Sequence, residues 1–222
     1  DRSSRNRLAE RHIPRFSGDT LFDGIARAVC RAGCLPRKEL YEAWEVARRV
    51  RRRFRGGRVV DLACGHGLLA WIMLLLDDSS PVALAVDRRV PPSATALAAA
   101  LEGDWPRLRG RVRLLEAGLA EVALGRDDLV VSAHACGGLT DLVLERAVLP
   151  GAGGGAPLLP DLAGADLAGL QGWLDGPLAM DVLRAAGLRE RGYRVFTQQI
   201  PGDISPKNRL LLAEPVSFSP CR

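Results

Sequence analysis

The sequence predicts an α/β fold built on a mostly parallel sheet with helices on both faces. Three observations carry this. Between Arg58 and residue 147, short apolar runs bounded by turn residues alternate with helical patterns. The first of these strands ends near Asp61 and passes through Cys64-Gly65-His66-Gly67 into an apolar helix. About twenty residues further on, a second strand ends in Asp87.

Taken in order, residues 1–18 mix charge, Ser, Pro and Gly and are expected to form a flexible arm. Asp19 is placed to cap a helix over about 20–34, where Leu21, Phe22, Ile25, Ala28 and Val29 fall at helical spacing. Pro36 opens a second helix over about 37–54, with Leu40, Tyr41, Trp44, Ala47 and Val50 as its apolar stripe. Arg48, Arg49, Arg51, Arg52, Arg53 and Arg55 crowd its end, where the helix dipole favours cations. Gly56-Gly57 stops it. Residues 19–56 thus make a helical extension, and residues 57–222 the α/β domain.

Within that domain the expected strands are Arg58 to Ala63, Pro81 to Val86, Arg111 to Leu115 and Asp128 to Ala135. The helices are Leu68 to Leu76, Ser93 to Leu101 and about 139–147. Val148-Leu149-Pro150 reads as a truncated fifth strand, followed by the Gly-rich loop Gly151 to Gly155 and an irregular stretch over 156–170. A helix over about 173–190 precedes two strands, Tyr193 to Ile200 and Arg209 to Val216, expected to pair as a hairpin.

Composition narrows the function classes. The chain has 222 residues, 47% hydrophobic and 26% charged, which excludes disordered and collagen-like classes. The longest apolar run, Leu68 to Leu76, is half of what a membrane helix needs. Asp1 to Arg15 lacks the apolar core of a signal peptide, and the expectation is a soluble, cytoplasmic protein with no membrane partner. Five cysteines, an odd number spread along the chain, fit a reducing compartment. Residues 1–58 hold 16 Lys/Arg against 7 Asp/Glu, a net of +9; the other 15 and 19 leave −4 on the remainder. A basic front end on an acidic body points to an anionic partner such as RNA, met by the arginine-rich helix.

The chemistry is concentrated in Asp61-Leu62-Ala63-Cys64-Gly65-His66-Gly67. Two glycines let backbone approach a ligand closely, and the carboxylate of Asp87 suits a ribose diol. A third glycine of the dinucleotide fingerprint is absent, with Ala70 in its place, and the acid at Asp61 would repel a pyrophosphate. A zwitterionic, sulfonium-bearing ligand suits that acid better.

The D-x-x-x-G-x-G arrangement resembles motif I of class I S-adenosylmethionine-dependent methyltransferases. His134-Ala135-Cys136-Gly137-Gly138-Leu139-Thr140-Asp141 resembles the H-A-C-G-x-x-T-D signature of a methyltransferase-domain family that includes ribosomal RNA adenine dimethylase-like proteins. Ile200-Pro201-Gly202-Asp203-Ile204-Ser205-Pro206-Lys207-Asn208-Arg209-Leu210 resembles that family's I-P-x-x-I-T-P-K-N-R-L segment, and Glu39 to Trp44 its lead-in helix. The family's P-C-C-H-like segment is replaced by Gly151 to Gly155. The resemblance implies a Rossmann-like fold with a seven-stranded, mostly parallel sheet ending in an antiparallel hairpin. It implies S-adenosylmethionine as cofactor, held by Asp61, Ala63, Gly65, Gly67, Asp87 and Arg88, with Gly118 and Leu119 at the adenine and His134 on the wall. His134 is also the candidate catalytic base, and Cys136, Lys207, Asn208 and Arg209 the candidate acceptor contacts.

Rival readings stand beside these. Cys64, His66, His134 and Cys136 form a zinc-type ligand set, disfavoured because a closed metal site would block the cofactor turn. Pro206 to Arg209 also reads as a plain turn. RNA is the expected acceptor; a small molecule or protein, or a non-catalytic cofactor-binding module, are the alternatives. Against RNA, only 5% of residues are aromatic, and strand four lacks an (N/D)-P-P-(Y/F) motif.

Overall fold

The structure, a computed structural model, describes residues 1–135, 137–148 and 175–216. The chain divides into two compact units: Asp1–Ala135 with Ile200–Asn208, and Cys136–Gln199 with Arg209–Arg222.

The first unit is built on β1 (Val59–Leu62), β2 (Ala83–Asp87), β3 (Val112–Glu116) and β4 (Leu129–Val131). They form one parallel sheet in the order β3-β2-β1-β4. All four residues of β1 are buried, which suits an apolar central strand flanked on both sides. Its Asp61 stands in register with Ala85 on one side and Val131 on the other. The chain reverses its winding direction at β1, so the crevice between β1 and β4, past their carboxyl ends, is the topological switch point.

Four helices belong to this unit: α1 (Leu21–Ala32), α2 (Arg37–Arg53), α3 (Leu68–Leu76) and α4 (Ala94–Asp104). Nearly every residue of α3 is buried, as its unbroken apolar run requires. The extension helices dock on the helices of the sheet, α1 on α4 and α2 on α3. Phe22 of α1 meets Tyr41 and Trp44 of α2 at ring-centroid distances of 5.1 and 5.3 Å. The cap of α1 is Thr20 and not Asp19: Thr20 Oγ1 accepts the Asp23 N–H at 3.1 Å. The helix starts one residue later than its charge pattern suggests, and the hydroxyl at the start satisfies the orphan donor.

The arginine run at the end of α2 is not one exposed stripe. Arg51 is only 2% exposed. It donates to the Met73 carbonyl at 3.0 Å and Ser80 Oγ at 2.8 Å, and pairs with Asp77 at 3.0 Å. Arg48 and Arg49 pair with Glu45 one turn back, and Arg55 reaches the Leu76 carbonyl. Arg51 and Arg55 thus fasten the end of α2 to the end of α3, where free carbonyls accumulate, whereas the Glu45 pairs stay within α2.

Residues 1–18, expected as a flexible arm, carry a 3-10 helix over Glu10–Arg15 and are fastened to the start of α2. Leu8 is fully buried and its N–H donates to the Leu35 carbonyl at 2.9 Å. The Arg37 and Lys38 N–H groups donate to the Asn6 and Ser4 carbonyls at 3.1 and 3.0 Å.

The second unit holds α5 (Gly138–Ala147), α6 (Gly176–Glu190) and an antiparallel hairpin, β5 (Tyr193–Gln199) with β6 (Arg209–Pro215). Ala185, Leu188, Tyr193 and Val195 make its core, with Leu144, Val148, Leu211 and Ala213 packed on them. Arg184 is buried between Asp141 and Asp181, at 2.6 and 3.1 Å.

The seven-stranded sheet is therefore corrected. Among the described residues the parallel sheet has four strands, and β5 and β6 satisfy their ladder with each other as a separate two-stranded sheet. The truncated fifth strand does not start at Val148, which caps the end of α5; Leu149 and Pro150, the Gly-rich loop and residues 156–170 lie outside the described residues. Strand four is also shorter than expected. It stops at Val131 and not at Ala135, so His134 lies beyond the strand.

Candidate functional site

Asp61 sits on the central strand with both neighbours in register, and it is 1% exposed. Neither carboxylate oxygen closes a hydrogen bond. Burial is the main force on this group and pushes its pKa from 3.8 up to about 8. The Ala70 N–H, in the first turn of α3, pulls the other way, and the negative charge of Asp87 adds to the rise. A buried acid whose oxygens close no hydrogen bond has room for a cation or a further donor.

The turn after Asp61 is strained. Ala63, Gly65 and Gly67 all have left-handed backbone, with φ of +58°, +56° and +76°. The turn is held by the Cys64 N–H to the Val86 carbonyl at 3.0 Å and the Gly67 N–H to the Cys64 carbonyl at 2.8 Å. A β-carbon on Gly67 would lie 3.0 Å from Leu114 Cδ2 and 3.2 Å from Ala85 Cβ, so this glycine lets α3 approach the sheet. A β-carbon on Gly65 would meet nothing within 4 Å. Backbone there is open to a ligand, while the left-handed φ of a non-glycine residue at Ala63 marks stored strain.

Asp87 closes the tip of β2 and shapes the turn. Its Oδ2 accepts the Gly65 N–H at 2.9 Å and its Oδ1 the Arg89 N–H at 3.2 Å. Its own carbonyl accepts the Ala117 N–H at 2.9 Å, which fixes the start of the loop after β3. Next in that loop, Gly118 precedes a short 3-10 helix beginning at Leu119, and Glu116 Oε2 accepts the Val90 N–H at 3.1 Å. Arg88 is exposed.

At the rim, His66 Nε2 lies 3.0 Å from Ser93 Oγ. Burial lowers the His66 pKa most; Glu39 opposes this, and Arg7 and His134 add to the lowering. His134 itself is exposed in the bend beyond β4 and shares this electrostatic neighbourhood. The buried Cys64 thiol is pushed well up, by desolvation first and then by the Asp61 and Asp87 carboxylates, which keeps it protonated and poor as a ligand. Among the described residues, no group of three or more His, Cys, Asp or Glu is arranged to hold a metal ion.

Cys136 lies outside the described residues. Lys207 is exposed, and Asn208 closes its own segment, donating Nδ2 to the Ile200 carbonyl at 3.1 Å and accepting the Ile200 N–H at 2.8 Å. Arg209 belongs to the second unit, where Asp181 takes its Nε at 2.6 Å. Sequence reasoning missed Arg7, Glu39 and Ser93 around His66. The only signal for Arg7 was its four-residue spacing from Arg11 and Arg15.

S-adenosylmethionine fits the residues present. The unpaired Asp61 carboxylate complements a cationic ligand, Gly65 leaves room for its approach, and a carboxylate has about four lone-pair positions, of which Asp87 uses two. No described helix is long and apolar enough to cross a membrane.

No protein-family profile matches the chain, and no curated protein sequence does. Several solved structures are similar. One is an O-methyltransferase family protein from Burkholderia thailandensis, 21% identical over 97% of this chain and 66% of its own, with a TM-score of 0.49. Another is a candidate O-methyltransferase from Nostoc punctiforme, 14% identical over 86% of this chain and 59% of its own, TM-score 0.49. A third is the S-adenosylmethionine-dependent methyltransferase SibL, 20% identical over 95% of this chain and 66% of its own, TM-score 0.48. The chain thus spans 59 to 66% of the length of these three proteins.

Proposed function

We propose that this protein is an S-adenosylmethionine-dependent methyltransferase that acts on RNA. One observation carries the cofactor reading: a buried, unpaired Asp61 carboxylate leads into a glycine turn that Asp87 ties to the next strand. The resemblance of the sequence to methyltransferase motifs supports it. Bound there, the cofactor supplies a methyl group on a sulfonium, already an excellent leaving group. The chain's own task is then alignment and proton removal. Asp61 balances positive charge, the free lone pairs of Asp87 take ribose hydroxyls, and the Gly118-Leu119 backbone meets the adenine. His134 takes a proton from the acceptor on a ring nitrogen if the acceptor carries one. RNA as acceptor rests on the basic front end of the chain.

The test is calorimetry with S-adenosylmethionine, S-adenosylhomocysteine and NAD, followed by mass spectrometry of nucleosides from RNA incubated with protein and cofactor. Binding of the first two at micromolar levels and a new methylated nucleoside are expected. Tighter binding of NAD overturns the cofactor. Cofactor turnover without any RNA product returns the small-molecule or protein acceptor, and binding without turnover returns the non-catalytic module.

A further inference from the structure

The N-terminal arm and the start of α2 enclose a groove of about 490 Å3 that the cofactor reading does not use. Arg7, Arg11, His12, Arg15 and Arg37 line it, with Asp1 as the single acidic side chain among the described residues. Among the described residues no carboxylate pairs with Arg7, Arg11 or Arg15, and Arg37 spends one Nη1 donor on the Asp1 carbonyl at 3.2 Å. This contrasts with the end of α2 and the turn after it, where Arg48, Arg49, Arg51 and Arg55 are all engaged by nearby carboxylates.

The groove is held before any ligand arrives. Residues 4, 6 and 8 are hydrogen-bonded to residues 38, 37 and 35, and Leu8 is buried beneath. His12 Nδ1 accepts the Ala9 N–H at 3.0 Å, which leaves its other nitrogen for a ligand. Desolvation first, and then Arg11, Arg15 and Arg37, hold the His12 pKa below its ordinary value, so these cations converge on one place. Like charges fixed together are unfavourable until an anion joins them. Guanidinium groups match phosphate oxygens in bidentate pairs, and among the described residues only polar and charged side chains line the groove, which suits a phosphate chain over an apolar peptide. Arg7, on the groove wall, also acts electrostatically on His66 of the glycine turn after β1.

We infer that this groove, and not the arginine run of α2, binds consecutive phosphates of an RNA strand and leads it to the His66–His134 rim. The phosphate site stands on its own observations; the strand's role as methyl acceptor rests on the methyltransferase reading.

The probe is a fluorescent 20-nucleotide single-stranded RNA, followed by anisotropy over a salt series. In the variant Arg7→Gln/Arg11→Gln/Arg15→Gln, affinity should fall at least ~30-fold at low salt. The log–log salt slope should flatten by about 2, since each phosphate contact on a single strand contributes about 0.7. A charge-matched control, Arg52→Gln/Arg109→Gln/Arg126→Gln, removes three exposed arginines elsewhere and should stay within about threefold of wild type. Unchanged melting and cofactor affinity in the groove variant show that the fold and the cofactor site persist. Equal losses in both variants, or none in the groove variant, overturn the groove while the methyltransferase reading stands. Competition by inorganic pyrophosphate with no RNA binding overturns the polymer ligand. Groove-dependent RNA binding by a protein with no affinity for S-adenosylmethionine overturns the link to methyl transfer.

Discussion

Asp87 Oδ2 accepts the Gly65 N–H at 2.9 Å, so the carboxylate expected to face a ribose also holds the turn that shapes the cofactor site. Its partner oxygen takes the Arg89 N–H at 3.2 Å. One side chain at the tip of β2 therefore links the β1 turn, the β2 turn and any ligand lying across both.

That double duty separates two substitutions. Asp87→Ala removes the ligand contacts and both backbone acceptors. Affinity for S-adenosylmethionine should fall about 5- to 150-fold, corresponding to roughly 1–3 kcal/mol for unpaired donors. Asp87→Asn keeps one acceptor oxygen and should fall between this and wild type. Calorimetry on both variants checks the order; wild-type affinity in Asp87→Ala would remove this residue from the site.

The two glycines of the turn should fail differently. Gly67→Ala places a β-carbon 3.0 Å from Leu114 Cδ2 and 3.2 Å from Ala85 Cβ, at a φ of +76°. Steric strain and left-handed backbone together should destabilise the fold by about 2–3 kcal/mol. Gly65→Ala has the same backbone problem but open space, and about 1–2 kcal/mol is expected. Urea titrations should rank Gly67→Ala as the less stable protein. Cofactor titrations should rank Gly65→Ala as the weaker binder relative to its stability loss.

Much of this site was legible in the sequence because it is local. A strand end, a glycine turn and a helix start lie within ten residues, and β2 follows at the spacing a crossover helix sets. The apolar run of α3 gave its boundaries directly, since burial on all sides needs no periodicity. Three features were not legible. The burial of Arg51 against Asp77 depends on tertiary approach, so a charged run read as one stripe. The stop of β4 at Val131 depends on register with β1, whereas the run of small and apolar residues continues to Ala135. The fastening of the arm depends on backbone groups of residues 4, 6 and 8, which composition does not reveal.

Arg51 tests the first of these points. Its side chain is 2% exposed and meets Asp77, Ser80 and the Met73 carbonyl. Arg51→Ala leaves the buried Asp77 carboxylate without that partner and should destabilise the protein by about 3–5 kcal/mol. Arg52→Ala, next to it but exposed, should stay within about 0.5 kcal/mol of wild type. Denaturant midpoints measured side by side decide this. Equal effects would mean that the run acts as a solvated stripe after all.

Asp61 should give the protein a pH signature. Its carboxyl is raised from 3.8 to about 8, chiefly by burial, with the Ala70 N–H opposing and the Asp87 charge adding to the rise. Between those two values the unfolded chain has lost this proton while the folded chain keeps it. The folded state then binds more protons, so raising the pH favours unfolding. The contribution is complete below about pH 4, shrinks by up to about 1.4 kcal/mol per pH unit, and is gone above about pH 8. Asp61→Asn cannot titrate, and subtracting its stability profile from that of the wild type isolates this group from every other. From pH 5.5 to 7.5 the wild type should lose about 1–3 kcal/mol more than the variant in urea titrations. A cation beside Asp61 favours the ionised carboxylate. Binding of S-adenosylmethionine near pH 6.5 should therefore release a proton, seen as a buffer-dependent binding enthalpy that Asp61→Asn abolishes. Parallel stability profiles for the two proteins would show that folding does not raise the Asp61 carboxyl and would overturn the proton release.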